Sequence, residues 1–404
     1  MDGWIDAAEA AGRLGVKPAT LYSYVSRGVL RRRRDAGGRR SLFDAAQVEE
    51  LARRGRPRRP PGPGELAIES AITALGPDRP HYRGRDALDL ARDATFEAVA
   101  TWLWTGETPP SGEAAGWRAR PDGVAAAVAA QSGLPDGTLP LDRLQLVVTA
   151  LAVADPLRHD LDPEGVVATG RALVAGMVEA LPPVSGVPER AGARVAERLW
   201  GRLCPHPPEP GPLRALDAAM ILLADHELAA STVAARVAAS VRAGPYAVVA
   251  AGLGVLGGSL HGGASYGVER MLAEIPDADA VPRVIGDRLR GGERIPGFGH
   301  GVYKAGDGRA AMLFDLVTDA APGHERIAVA RAVAAEAARR RLPAMNIDFV
   351  LAVLGAVAGF VPGAGEAIFA VARTAGWLAH ALEEYERGAP LRPRAVYVGP
   401  PPPG

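Results

Sequence analysis

Cysteine is almost absent from this chain: Cys204 is the only one in 404 residues. A disulfide framework within the chain is excluded, and a cysteine-based metal site is not expected. Aromatic residues make up only 5%. That speaks against an aromatic-rich β-sandwich and for helices packed through small side chains. No apolar run reaches about 18 residues, so no membrane span is expected. The first residues carry Asp2, Asp6 and Glu9 without an apolar stretch. No secretory signal is expected, and the cytoplasm is the expected location. No Gly-x-Gly-x-x-Gly or Gly-x-x-x-x-Gly-Lys-Ser/Thr loop is placed for nucleotide phosphates, and His-Glu-x-x-His is missing. Neither a metal nor a resident cofactor is expected.

Net charge is zero, but it is unevenly spread. Residues 1–60 hold 14 Lys and Arg against 7 Asp and Glu, and the remainder holds 32 against 39. A basic head on an acidic body points to a polyanionic partner for the head.

Within the head, Asp6-Ala7-Ala8-Glu9 fits a capping box that opens a helix over 6–14, ended by Gly15. Pro18 can start a second helix. Leu21 and Val25 would face the first helix, with Thr20, Tyr22 and Ser23 outward, the spacing of a helix-turn-helix. Two short strands follow around Gly37-Gly38, rich in arginine, and Asp44-Ala45-Ala46-Gln47 would cap a third helix. The segment resembles the winged helix-turn-helix of the MerR and excisionase type. That implies phosphate contacts from Arg31, Arg32, Arg33, Arg34, Arg39 and Arg40, with base readout from Thr20, Tyr22, Ser23 and Tyr24. A solvated face or a docking module is the alternative for such an arginine run.

Arg56–Gly64 reads RPRRPPGPG, too rich in Pro and Gly for a helix or an inner strand. The expected division is a head at 1–56, a linker at 57–63 and a body from 64. Body segments such as 86–103, 139–154, 228–242 and 363–386 repeat Ala, Leu and Val at helical spacing between Pro and Gly loops. The expected class is mainly α.

Dispersed through the body stand His226, His261, His300, Arg309, Asp348 and Arg373. Glycines beside His261 and His300 let a ligand approach the backbone. Arginines recognise carboxylates through paired N–H donors. Histidines, an aspartate and several arginines together suit proton abstraction from carbon beside a polycarboxylate. Any single histidine is better read as structural. His81, His159, His206 and His324 are taken so, and His380 is expected to pack near Trp377.

Several segments then match one family in order. They include Asp225-His226-Glu227, Gly258-Ser259-Leu260-His261-Gly262-Gly263-Ala264 and Pro296-Gly297-Phe298-Gly299-His300. Asp307-Gly308-Arg309-Ala310, Asn346-Ile347-Asp348-Phe349, Arg373-x-x-Gly376-Trp377-x-Ala379-His380 and Leu391-Arg392-Pro393 follow. Across 64–400 the chain resembles the citrate synthase family. The resemblance implies a two-domain, all-helical fold, with a large domain from 64–264 plus 376–404 and a small one from 265–375. It implies that Asp348 takes a methyl proton from acetyl-CoA, that His261 bonds the enolate oxygen and that His300 polarises the oxaloacetate carbonyl. His226, Arg309 and Arg373 would bind oxaloacetate carboxylates. Arg392 would come from the partner of a homodimer. Gly297, Phe298, Gly299 and Lys304 would meet coenzyme A, a substrate rather than a cofactor.

The family pattern is departed from at Ser265, Gly301, Gly308 and Val350, where Asn, Arg, Pro and Tyr are usual. Three readings stay open at this point. They are a citrate synthase with a DNA-binding head, a 2-methylcitrate synthase using propanoyl-CoA, and a regulator whose body senses these metabolites.

Overall fold

In the computed structural model, residues 3–14, 16, 18–26, 29–35, 40–53, 67–107, 116–186, 190, 192–396 and 398–399 are described. Gly15, Gly37-Gly38, Arg39 and the expected linker at 57–63 lie outside them. The chain divides into two units, Met1–Glu69 and Ser70–Gly404.

The first unit runs β1 (Trp4–Asp6), α1 (Ala7–Leu14), α2 (Pro18–Ser26), β2 (Arg32–Arg34), β3 (Ser41–Asp44) and α3 (Ala45–Arg53). Asp6 Oδ1 accepts the Glu9 N–H at 2.8 Å, the expected cap. The other half of the capping box differs. The Glu9 carboxylate holds Arg13 at 2.6 Å, and Arg13 also spans to Glu49 of α3. Asp44 caps α3 through the Ala46 and Gln47 N–H groups. The two expected strands pair antiparallel, and β1 joins them on the far side of β3. Three residues are too few to show strand alternation, so β1 was not foreseen. Ala10, Leu21, Leu30, Phe43 and Val48 form the small core.

The second unit opens with an antiparallel sheet of β4 (Thr73–Leu75), β5 (Pro80–Tyr82) and β6 (Arg85–Asp86). The rest is helical. α4 (Ala87–Asp93), α5 (Phe96–Thr105), α6 (Pro121–Ala130), α7 (Pro140–Ala154), α8 (Pro163–Glu179) and α9 (Val195–Leu203) come first. Next are α10 (Pro210–Leu223), α11 (Ala230–Ser240), α12 (Pro245–Leu256), α13 (Ala264–Ala273) and α14 (Val281–Arg290). α15 (Gly308–Ala320), α16 (Glu325–Arg339), α17 (Ile347–Ala358) and α18 (Ala364–Arg387) close the unit. α6, α7, α8, α10 and α12 begin with proline, whose missing N–H costs nothing there. The single helix expected over 86–103 is two, because Thr95 leaves the helical region and its Oγ1 caps α5 through the Ala98 N–H at 3.3 Å.

α18 is the axis of this unit. It is buried without interruption from Ala364 to Ala381 and packs on α5, α7, α8, α10, α11 and α12. Small residues permit such close packing. A Cβ added at Gly252 of α12 would lie 2.6 Å from the Trp377 ring, and one at Gly376 would lie 2.3 Å from Asp225 Oδ1. The domain boundary expected at 375–376 falls inside this continuous helix.

Candidate active site

The loop that carries His300 is fastened to the start of α17. Gly297 and Gly299 sit at φ +82 and +88, which glycine adopts without strain. Between them Phe298 bridges Met345 and packs on Phe349 with ring centroids 5.1 Å apart. Asn346 fastens the loop twice: its N–H donates to Gly297 O and its Nδ2 to Gly299 O, each at 2.9 Å. Its Oδ1 caps α17 by accepting the N–H groups of Asp348 and Phe349. One asparagine thus ties the loop before His300 to the turn bearing Asp348.

His300 Nδ1 accepts the backbone N–H groups of Val302 and Tyr303 at 3.0 and 3.1 Å. Its ring proton is therefore on Nε2. Arg309 Nη2 at 3.4 Å from that Nε2 is a close cation rather than a donor to it. The ring stacks on Tyr303 at 4.6 Å, and Tyr303 Oη pairs with His226 Nε2 at 3.0 Å. The His226 and His300 rings lie 5.2 Å apart. The Arg309 guanidinium sits 5.2 Å over the Tyr303 ring.

Arg309 is held by Asp307, whose carboxylate takes Nε at 2.9 Å and Nη2 at 2.8 Å. The same carboxylate caps α15 through the Arg309 N–H and reaches the Ile347 N–H at 3.3 Å. Burial opposes charge on both partners, but their mutual attraction prevails. Asp307 stays below the ordinary carboxylate range and Arg309 above the ordinary guanidinium value.

His261 approaches from the segment before α13. Its Nε2 lies 2.7 Å from Ser231 Oγ, which also accepts Trp377 Nε1–H at 3.3 Å. With one lone pair of Ser231 taken by Trp377, the hydroxyl proton is free to be given to Nε2, an arrangement that puts the imidazole proton on Nδ1. Burial, reinforced by the Arg373 charge, pushes His261 down to about 4, so it is neutral at pH 7. Its ring meets Phe369 edge-on at 5.8 Å, and Arg373 lies 4.6 Å over that same phenyl ring. Arg373 donates through Nε to Leu223 O at 2.7 Å, while its buried Nη1 has no partner in the structure. Burial lowers Arg373 to about 10.

Asp348 lies in the first turn of α17, and its buried Oδ1 accepts no hydrogen bond. Burial pushes its carboxyl up to about 7, against the pull of Arg309 and with the push of Asp307. A free carboxylate oxygen and a raised basicity, within reach of the Arg309 and Arg373 charges, suit proton transfer at this position.

The model of the citrate synthase C-terminal domain matches residues 63–394, and a helix-turn-helix domain matches 4–56. The chain belongs to the citrate synthase family. It is 33% identical to citrate synthase 2 of Bacillus subtilis over 83% of this chain and 95% of that one. It is 30% identical to a 2-methylcitrate synthase of Mycobacterium tuberculosis, covering 79% and 84%. The solved citrate synthase of Thermotoga maritima shares 28% identity and superposes with a TM-score of 0.69 over 83% of this chain and 94% of its own.

Within this citrate synthase family member, His226, His300 and Arg309 gather around Tyr303, and His261 and Arg373 meet at Phe369. The charges of Arg309 and Arg373 both act on Asp348. Lys304 is exposed, with Nζ on the His300 carbonyl at 3.1 Å. Arg392 is exposed on the segment after α18. The reading of the residues gave no part to Tyr303, Asp307, Ser231 or Glu366. Asp307 stands inside a family motif, and Ser231 and Tyr303 follow closely on two others, with no sign of their partners. Glu366, whose carboxyl burial and then Glu269, Asp142 and Asp348 raise to about 7, had no signal.

On the helix-turn-helix unit, Arg31 to Arg34 and Arg40 are exposed, and Arg39 lies outside the described residues. Arg32 sits 5.5 Å over Tyr22 and Arg33 4.5 Å over Trp4. Tyr22 is exposed, its hydroxyl 3.4 Å from Ser41 Oγ, while Thr20 and Ser23 are half-buried. Tyr24 is half-buried like Thr20 and Ser23, and part of it packs on the small core.

The raised Asp348 carboxyl has a stability consequence. Its native form holds a proton that the unfolded chain releases near pH 4, so its contribution is complete below that and is lost as pH rises through 7. Asp348→Asn is expected to melt higher than the parent at pH 8, with the gap narrowing steadily toward pH 5. A gap that is constant across that range contradicts the raised value.

Proposed function

We propose that the body condenses acetyl-CoA with oxaloacetate to citrate and coenzyme A. The observation that carries the proposal is the Asp348 Oδ1 that accepts no hydrogen bond, on a carboxyl raised to about 7 within reach of the Arg309 and Arg373 charges. Asp348 takes a proton from the acyl methyl. The charge moves to the thioester oxygen, where the Nδ1–H of neutral His261 stabilises it. The Nε2–H of His300 polarises the oxaloacetate carbonyl, with the Arg309 charge beside it. The methyl carbon attacks that carbonyl carbon while its oxygen takes the His300 Nε2 proton, offset by the proton that Asp348 gained, and water then cleaves the citryl thioester to citrate and CoASH. Each placed donor contributes about 3–4 kcal/mol to such a step. His226, Arg309 and Arg373 bind the oxaloacetate carboxylates. The Gly297-Phe298-Gly299 loop and Lys304 meet coenzyme A.

A second reading keeps the chemistry and changes the acyl group. A relative at 30% identity is named 2-methylcitrate synthase, and propanoyl-CoA needs only room for one more methyl.

The proposed assembly is a homodimer, in which Arg392 completes the partner's site. Leu146 and Val153 on α7, Val237 on α11 and Val241 just after it are exposed apolar residues that such an interface would cover. A monomer in sedimentation equilibrium would contradict it. The proposed partner of the basic unit is DNA, met by Thr20, Tyr22, Ser23 and the exposed arginines. The contacts of Arg32 with Tyr22 and of Arg33 with Trp4 hold two of those cations in fixed positions.

In a thiol-release assay, the full chain with oxaloacetate and acetyl-CoA is expected to release CoASH. Asp348→Asn should lower kcat by about 10²–10⁴-fold. Faster turnover of propanoyl-CoA selects the second reading. No release with either thioester, or an unimpaired Asp348→Asn, refutes the enzyme. For the basic unit, DNA retention should weaken with salt and vanish when Arg31, Arg32, Arg33 and Arg34 become Ala. Retention that survives those changes rules out the strand arginines.

A further inference from the structure

Behind the candidate site lies a set of buried charges with no part in the condensation chemistry above. His380, Asp225 and Arg236 are fully buried. Arg236 donates through Nε to Glu384 and through Nη1 to Glu383, each at 2.6 Å. Its Nη1 also lies 2.6 Å from His380 Nδ1. A guanidinium has donors only, so Nδ1 is the acceptor and carries no proton. The imidazole proton is therefore on Nε2, which faces Asp225 Oδ2 at 3.3 Å.

That carboxylate oxygen has a second task. It accepts the Glu227 N–H at 3.0 Å, closing a turn in which Glu227 sits at φ +54. A left-handed glutamate is unfavourable unless its surroundings hold it there. His226 stands between the two fixed residues. The front of the turn is fixed as well, with Tyr82 Oη 3.2 Å from the Asp225 carbonyl and the Gly376 N–H on Ala224 O at 2.9 Å. The imidazole of His226 has little freedom left once Asp225 is held.

We infer that His380 is a positioning residue for His226: its Nε2–H holds the Asp225 carboxylate where it closes the 225–227 turn, and so aims the His226 imidazole at oxaloacetate. The inference rests on the reading of His226 as an oxaloacetate ligand. Histidine fits this position because one ring presents an acceptor to α11 and a donor to Asp225. The role departs from simple packing near Trp377, which would leave the Asp225 rotamer indifferent to residue 380.

The test is a pair of polar replacements in the full chain. His380→Gln places an N–H donor near the Nε2 position, and His380→Asn offers an acceptor near Nδ1 but no donor toward Asp225. The Asn variant is expected to raise KM for oxaloacetate about tenfold, as displaced binding groups do. KM for the acyl-CoA should stay within about twofold, and the Gln variant within about threefold of the parent on both. Equal effects of Asn and Gln, or a Gln variant that does not fold, overturn the inference. Should the Asn variant not fold, Asp225→Asn weakens the same bond from the other side and carries the same expectation. Imidazole ¹⁵N shifts read the geometry without substrate. His226 should move in the Asn variant and not in the Gln variant, and an unmoved His226 in both overturns the inference. If the parent neither binds nor turns over oxaloacetate, the functional reading fails, while the imidazole shifts still decide whether His380 positions His226.

Discussion

Asp307 is the interaction on which the site depends. A single buried carboxylate accepts three N–H groups of Arg309, two from the guanidinium and one from the backbone, and a fourth from Ile347. It thereby joins the first turn of α15 to the first turn of α17. Those turns carry the cation beside His300 and the carboxylate proposed as the base. Burying a charge pair gains little over an apolar pair, but removing one partner leaves the other uncompensated, at about 3–5 kcal/mol. The pair is therefore better understood as fixing geometry than as adding stability. It also sets the local field, since Arg309 lowers and Asp307 raises the Asp348 carboxyl, with burial outweighing both.

The histidines complete this arrangement through their unused nitrogens. His300 is fixed by two backbone N–H groups, His261 by Ser231, and His226 by Tyr303. In His300 the inner nitrogen accepts, so the outward nitrogen carries the proton, and the Ser231 hydroxyl can hold His261 in the same way. Neutral imidazoles that donate in a set direction are what developing negative charge requires. α18 supports this from behind: Trp377 orients Ser231, Phe369 meets His261, and Arg373 and His380 stand on the same buried helix.

Much of this was legible in the sequence. The Pro18 helix start, the caps at Asp6 and Asp44, the helical spacing of Ala, Leu and Val and the family motifs pointed to the mainly helical class and to the candidate site residues. What stayed hidden depends on partners far apart in the chain. Nothing near Asp307 announces Ile347, and nothing near Ser231 announces His261. The break at Thr95 was missed because apolar spacing runs through it, and a single capping hydroxyl decides the matter. β1 exists only because β3 offers it an edge. Tyr24 shows the limit of helical phase reasoning in a nine-residue helix, where a residue adjacent to the outward face still packs in part on the small core.

Asp348 has one buried carboxylate oxygen that accepts no hydrogen bond, and its surroundings set its basicity. Difference infrared titration of the full chain against its Asp348→Asn variant measures this directly. A carboxyl band that is lost with a midpoint near pH 7 is expected. A midpoint near 4, the ordinary aspartate range, would contradict it.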